Sequence, residues 1–152
     1  MKIPVFKSLV LCLCLSSCVS IKNTIKNIDD NAPTLVLLAD NTFEVNKSSK
    51  DKRYGFNKDY PINIFFVSTL DENINQPRFL DALAGPNGEK ISYKKIENCC
   101  PFPSKKSNSG AGLLDVYELT WKGQKKPIRL YLNIYEKGIL MIPVGLTKAN
   151  RQ

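Results

Sequence analysis

The sequence predicts an α+β fold: an antiparallel sheet of about five strands with one helix packed on a face. Three observations carry this. Ile128, Leu130, Leu132 and Ile134 alternate with Arg129, Tyr131, Asn133 and Tyr135, a period of two that marks a half-buried antiparallel strand. Upstream, Leu113, Tyr117, Leu119 and Trp121 fall on one face of a strand, interrupted by Asp115. Residues 76–84 carry the one clear helical stripe, Phe79, Leu80 and Leu83.

The elements follow in order. Thr34 to Ala39 is an apolar run suited to a buried strand, Asp40-Asn41 offers turn chemistry, and Thr42 to Val45 reads as a second strand. Residues 46–61, rich in lysine and serine, read as a mobile loop. Ile62 to Val67 is β-branched and aromatic, a central strand. For the helix, Asn75 or Gln76 serves as cap, and Pro77 fits the first turn, where a missing N–H costs nothing. Gly85 suits the left-handed residue that closes a helix, and Pro86 blocks its continuation. Asn87-Gly88 turns the chain into a strand over Lys90 to Ile96. Ile139 to Val144 is a last apolar segment, set at an edge by Pro143.

The amino terminus carries a different signal. Lys2 and Lys7 make a basic start, and Ser8 to Leu15 is an apolar run too short for a bilayer, which needs about 20 residues. Together they read as a secretory signal peptide. The run ends in Leu15-Ser16-Ser17-Cys18, which resembles the lipobox of bacterial lipoproteins. That resemblance implies cleavage before Cys18, acylation of its amine and a diacylglycerol on its sulfur, enough for firm membrane anchoring. Val19 follows, where aspartate would signal inner-membrane retention, so the expected address is the outer membrane of the cell envelope. The chain then divides into a signal peptide (1–17), a lipidated flexible tether (18–33), one domain (34–147) and a short tail (148–152). Cleavage leaves 135 residues, room for one modest domain, and lowers the formal charge from +8 to +6. The lysines are scattered, as on a solvated surface, and export argues against nucleic acid as a partner.

The chain contains no histidine, which removes the commonest general base and metal ligand. No cofactor motif or metal-ligand set stands out, and no catalytic residue is assigned. With Cys12 and Cys14 in the signal peptide and Cys18 lipidated, Cys99 and Cys100 remain, adjacent and followed by Pro101-Phe102-Pro103. In an oxidising compartment they can bond to each other, bridge to another molecule or stay buried as thiols. A structural role ranks first, redox chemistry second and a soft metal site third. Gly110-Ala111-Gly112 precedes a strand and not a helix, so it reads as a surface loop and not as a phosphate cradle. Asp115 interrupts an apolar face, and Trp121, Tyr131 and Tyr135 are candidates for an aromatic patch that binds peptide or sugar.

The order Gly85-Pro86-Asn87-Gly88, Cys99-Cys100-Pro101-Phe102, Leu113-Leu114-Asp115-Val116-Tyr117-Glu118 and Leu130-Tyr131-Leu132-Asn133 resembles a group of small uncharacterised bacterial lipoproteins, over roughly residues 54–147. Some of them carry the label 2-dehydro-3-deoxyphosphooctonate aldolase. That enzyme is a cytoplasmic (β/α)₈ barrel of about 250 residues. The mature chain is about half as long and exported, so the resemblance implies an envelope lipoprotein, a membrane-anchored module with an envelope protein or glycan as partner.

Overall fold

A four-stranded mixed sheet organises the chain. The computed structural model describes residues 23–65, 71 and 73–150. Cys18 and the signal segment lie outside them, as does the end of the strand expected over Ile62 to Val67. The elements are β1 (Ile62–Asn63), α1 (Asn75–Leu80), β2 (Leu83–Ala84), β3 (Ser92–Pro103), β4 (Ala111–Thr120), β5 (Ile128–Asn133) and β6 (Thr147–Lys148). The main sheet has the order β1-β5-β4-β3, and β2 pairs with β6 in a separate ribbon.

The β3–β4 and β4–β5 pairs are antiparallel as expected. The β1–β5 pair is parallel, with Ile62 opposite Leu132, so the sheet is mixed and one strand smaller than predicted. This architecture, with one six-residue helix among the described residues, is not a (β/α)₈ barrel.

The period of two in β5 becomes two environments. Leu130 and Leu132 enter the main core with Phe43, Val45, Ile62, Ile64, Phe79, Leu80, Tyr117 and Leu119. Tyr131 and Tyr135 face the other side, in a smaller cluster with Ile25, Phe102 and Leu114. Both faces of the sheet are therefore covered. Leu113, expected on the buried face of β4, is 44% exposed, so the core side of that strand ends at Asp115.

Three expected elements change. The helix is shorter than 76–84: Ile74 occupies the cap position without a side-chain hydrogen bond, and the chain leaves the helix at Asp81. A six-residue helix has no stability of its own. Burial of Phe79 and Leu80 holds it, at about 1.5–3 kcal/mol for each side chain. Leu83 is recruited instead by the β2–β6 ribbon, which also makes strand of residues 147–148. Gly85 is not left-handed. It opens the turn closed by Gly88, whose N–H donates to the Gly85 carbonyl at 3.0 Å and whose φ is +84°.

Thr34 to Ala39 is no buried strand. Val36 is 52% exposed, and a hairpin bridge from Leu37 to Phe43 sends Phe43 and Val45 into the core in its place. Residues 46–61 form a loop as expected, but one pinned to the core. Tyr54 is buried, with its hydroxyl donating to the Ile139 carbonyl and accepting from the Met141 N–H. Ser48 bridges Ile142, the one ladder contact of the expected edge segment 139–144 among the described residues.

The largest departure is at the amino terminus. Residues 23–32, expected within the flexible tether, lie against the domain. Ile25 and Ala32 are buried. The Lys26 N–H donates to the Asp59 carbonyl at 2.8 Å and the Asp29 N–H to the Lys137 carbonyl at 2.9 Å. Asn27 donates to the Pro61 carbonyl and accepts at its own carbonyl from Asn63 Nδ2. We call this segment the strap.

Candidate functional site

Two bulges in β3 create the sites of chemical interest. The first falls between Lys95 and Glu97, leaving Ile96 unpaired. In a regular strand, residues 95 and 98 point to opposite faces, because three is an odd step. The extra residue restores the phase. Lys95, opposite Tyr117, and Asn98, opposite Asp115, thus reach the same face as Asp115.

Asp115 is 5% exposed. Its carboxylate lies 2.7 Å from Lys95 Nζ and accepts close hydrogen bonds from Asn98 Nδ2 and from Gln76 Nε2 on α1. Gln76 is fully buried, and its Oε1 finds no partner among the described residues. Beside this network Tyr117 is pushed up to about 12, first by burial and then by the Asp115 charge. Tyr93 packs edge-on against Tyr117 at 6.0 Å and is raised as well, by burial and by its hydrogen bond to Asp81. Asp115 is thus a carboxylate whose oxygens are engaged on three sides. It ties helix to sheet.

The second bulge falls between Cys99 and Phe102. Cys99 and Cys100 are joined as a vicinal disulfide, with Cα atoms 3.7 Å apart, and Cys100 takes φ +59°. A positive φ is uncommon outside glycine, so the bonded pair and the bulge enforce a conformation that the chain would otherwise avoid. Both cysteines are half-buried and pack with Ile28, Tyr131 and Tyr135 on the smaller cluster. Phe102 meets Tyr135 edge-on at 6.2 Å. Both rings close over Gly112, where a Cβ would lie 2.6 Å from Phe102 and 2.7 Å from Tyr135. Only glycine fits there.

Next to this cluster is an open groove of about 510 Å³, lined by Asn23, Ile28 and Asp30 of the strap and by Ser104, Lys106 and Glu136 of the domain. Ser104 Oγ donates to Glu136 at 2.6 Å, and Lys106 Nζ bridges Glu136 to Asp30. Lys106 holds Asp30 below the usual carboxylate value, first by hydrogen bond and then by charge. Burial alone would lower Lys106, but Asp30 and Glu136 outweigh it and hold the ammonium above its usual value.

Of the residues singled out from sequence, the structure brings together Cys99, Cys100, Tyr131 and Tyr135. It separates Asp115, which lies on the main-core face. Trp121 is also elsewhere, packed on the main core beside Gly85. The expected aromatic patch is therefore two tyrosines without the tryptophan. Sequence reasoning missed Glu136, Ser104, Lys106 and Asp30, whose contacts span 32 and 76 residues of chain. Among the described residues no group of three cysteine, aspartate or glutamate side chains is placed to hold a metal ion, and no helix is long and apolar enough to cross a membrane. Comparison with protein-family models, curated proteins and solved structures finds no match.

Proposed function

We propose that this chain is a lipoprotein of the cell envelope, carried by lipid on Cys18 at the outer membrane, and that its domain is a binding or structural module for an envelope protein or glycan. The observation that carries the proposal is Leu15-Ser16-Ser17-Cys18 at the end of a basic start and a short apolar run. The Cys99–Cys100 disulfide supports it, since such bonds persist in oxidising compartments. The engagement of Asp115 and Glu136 in ion pairs supports a non-enzymatic domain, because acid–base work needs a carboxylate that can meet a substrate.

The test is mass spectrometry of the mature amino-terminal peptide from a bacterial host, with Cys18→Ser beside the native chain. Cleavage before Cys18 and a diacylglyceryl mass on it are expected, both lost in the variant. An unmodified Cys18 in the mature protein would end the proposal.

A second reading, thiol redox chemistry, is favoured by the bonded vicinal pair itself. In that reading a dithiol attacks the Cys99–Cys100 bond, the two sulfurs leave as thiols, and the reductant departs as its own disulfide. Thiol labelling after treatment with dithiothreitol tests it. A pair that stays closed under excess reductant would exclude cycling.

A further inference from the structure

We infer that the face formed by the start of the strap and the loop 104–110 lies against lipid headgroups, with the turn at 121–127 directed away from the membrane. The inference rests on the lipid anchor on Cys18 proposed above.

It follows from where the chain leaves the domain. If the chain were free up to Pro33, fifteen residue steps from Cys18 would allow about 54 Å of reach at ~3.6 Å per step. A domain of this length is about 36 Å across, judged from the usual radius of gyration. Such a leash would let any face meet the membrane. The strap removes that freedom. Burial of Ile25 and the backbone bonds of Lys26, Asn27 and Asp29 fix the chain from its first described turn. Only five steps then separate Cys18 from Asn23, at most about 18 Å in any conformation.

Part of that reach is spent inside the bilayer. The lipidated sulfur sits at the base of the headgroup layer, which is about 5–8 Å deep per leaflet. Asn23 must therefore stay within roughly 13 Å of the headgroup surface.

Asn23 shares its groove with Ser104, Lys105, Lys106 and Gly110, so the loop 104–110 is held near the membrane with it. The turn 121–127 lies at the other end of β4. Ten residues of strand, Ala111–Thr120, separate the two connections by about 30 Å at ~3.3 Å per residue. Docking end-on through that turn would lift Asn23 by about 30 Å, beyond the leash. The loop is also suited to headgroups. Its side chains are serine, asparagine and lysine, and Lys105, Asn108 and Ser109 are exposed to solvent. These groups donate hydrogen bonds and positive charge to lipid phosphate.

The test uses the full lipidated protein in vesicles that carry a headgroup quencher, with lipid on Cys18 verified by mass before each measurement. A fluorophore is placed at Ser109→Cys or at Lys125→Cys. Quenching several-fold stronger at 109 than at 125 is expected. A flexible insertion of about ten residues between positions 22 and 23, worth up to ~36 Å of added reach, should abolish the difference without touching the domain. Equal or reversed quenching on verified lipoprotein would overturn the orientation and leave the anchor standing. A difference that survives the insertion would also overturn it, because the leash would not be its cause. Absence of lipid on Cys18 would remove both the anchor and this inference.

Discussion

Replacing Asp115 with alanine separates a structural carboxylate from a functional one. Two of its three partners can recover. Lys95 keeps a third of its side chain in water and Asn98 is exposed, so each can be solvated at a cost of about 0–1 kcal/mol. Gln76 cannot. It is fully buried, its Oε1 is already without a partner, and the variant would leave its Nε2 group unsatisfied too. A buried amide without a hydrogen bond costs about 1–3 kcal/mol. The expected loss is therefore about 2–3 kcal/mol, on the order of 10 °C in Tm for a domain of this size. The assay is urea and thermal unfolding of the mature chain carrying Cys18→Ser, with Asp115→Ala, Gln76→Leu and their combination. Gln76→Leu removes the group that Asp115→Ala strands, so the double variant should be more stable than the sum of the singles by about 1–2 kcal/mol. An Asp115→Ala variant within ~0.5 kcal/mol of the parent, or additive singles, would refute the reasoning and return Asp115 to the candidates for chemistry.

Other expectations follow from the same geometry. Gly112→Ala would press a Cβ to 2.6 Å from Phe102 and 2.7 Å from Tyr135, and should cost about 1–3 kcal/mol by forcing both rings aside; chemical denaturation would show it. Alkaline unfolding should begin above pH 10. Burial raises Tyr54, Tyr93 and Tyr117 in the folded chain, Tyr117 to about 12, so the unfolded state loses these protons first and stability falls between pH 10 and the folded values. Unfolding midpoints across that range, with Tyr117→Phe flattening the fall, are the check. The strap should loosen in acid. Asp30 is lowered from its usual 3.8, so its contact with Lys106 is at full strength above that value and is lost as pH falls below it. Hydrogen-exchange protection factors at the Lys26 and Asp29 amides, corrected for the intrinsic pH dependence of exchange, should be high near neutrality and fall in acid.

Some of this architecture was legible in the sequence. Alternation along residues 128–135 assigned Leu130 and Leu132 to one face and Tyr131 and Tyr135 to the other, because side-chain direction in a strand is a local property with a period of two. Gly88 marked a turn for an equally local reason, its freedom to take a positive φ. The break at Asp115 in an apolar face singled that residue out, but a strand end facing solvent accounts for such a break equally well. The lipid site proposed at Cys18 likewise rests on a linear pattern, Leu15-Ser16-Ser17-Cys18, and on no feature of the fold.

Tertiary structure decided what joins these pieces. Whether Leu83 ends a helix or starts a strand depends on Thr147 and Lys148, more than sixty residues away. The parallel placement of β1 beside β5 depends on a pairing across seventy residues. The bulge at Ile96 turns Lys95 and Asn98 toward Asp115, and no composition or period announces it. The strap is the clearest case. Residues 23–32 are polar and aperiodic, and nothing local distinguishes them from a free tether. Their attachment comes from Ile25 filling the cluster of Phe102 and Leu114, and from Asp30 meeting Lys106 seventy-six residues on. A segment's order is set by the surface that it finds, and that surface exists only once the sheet has formed.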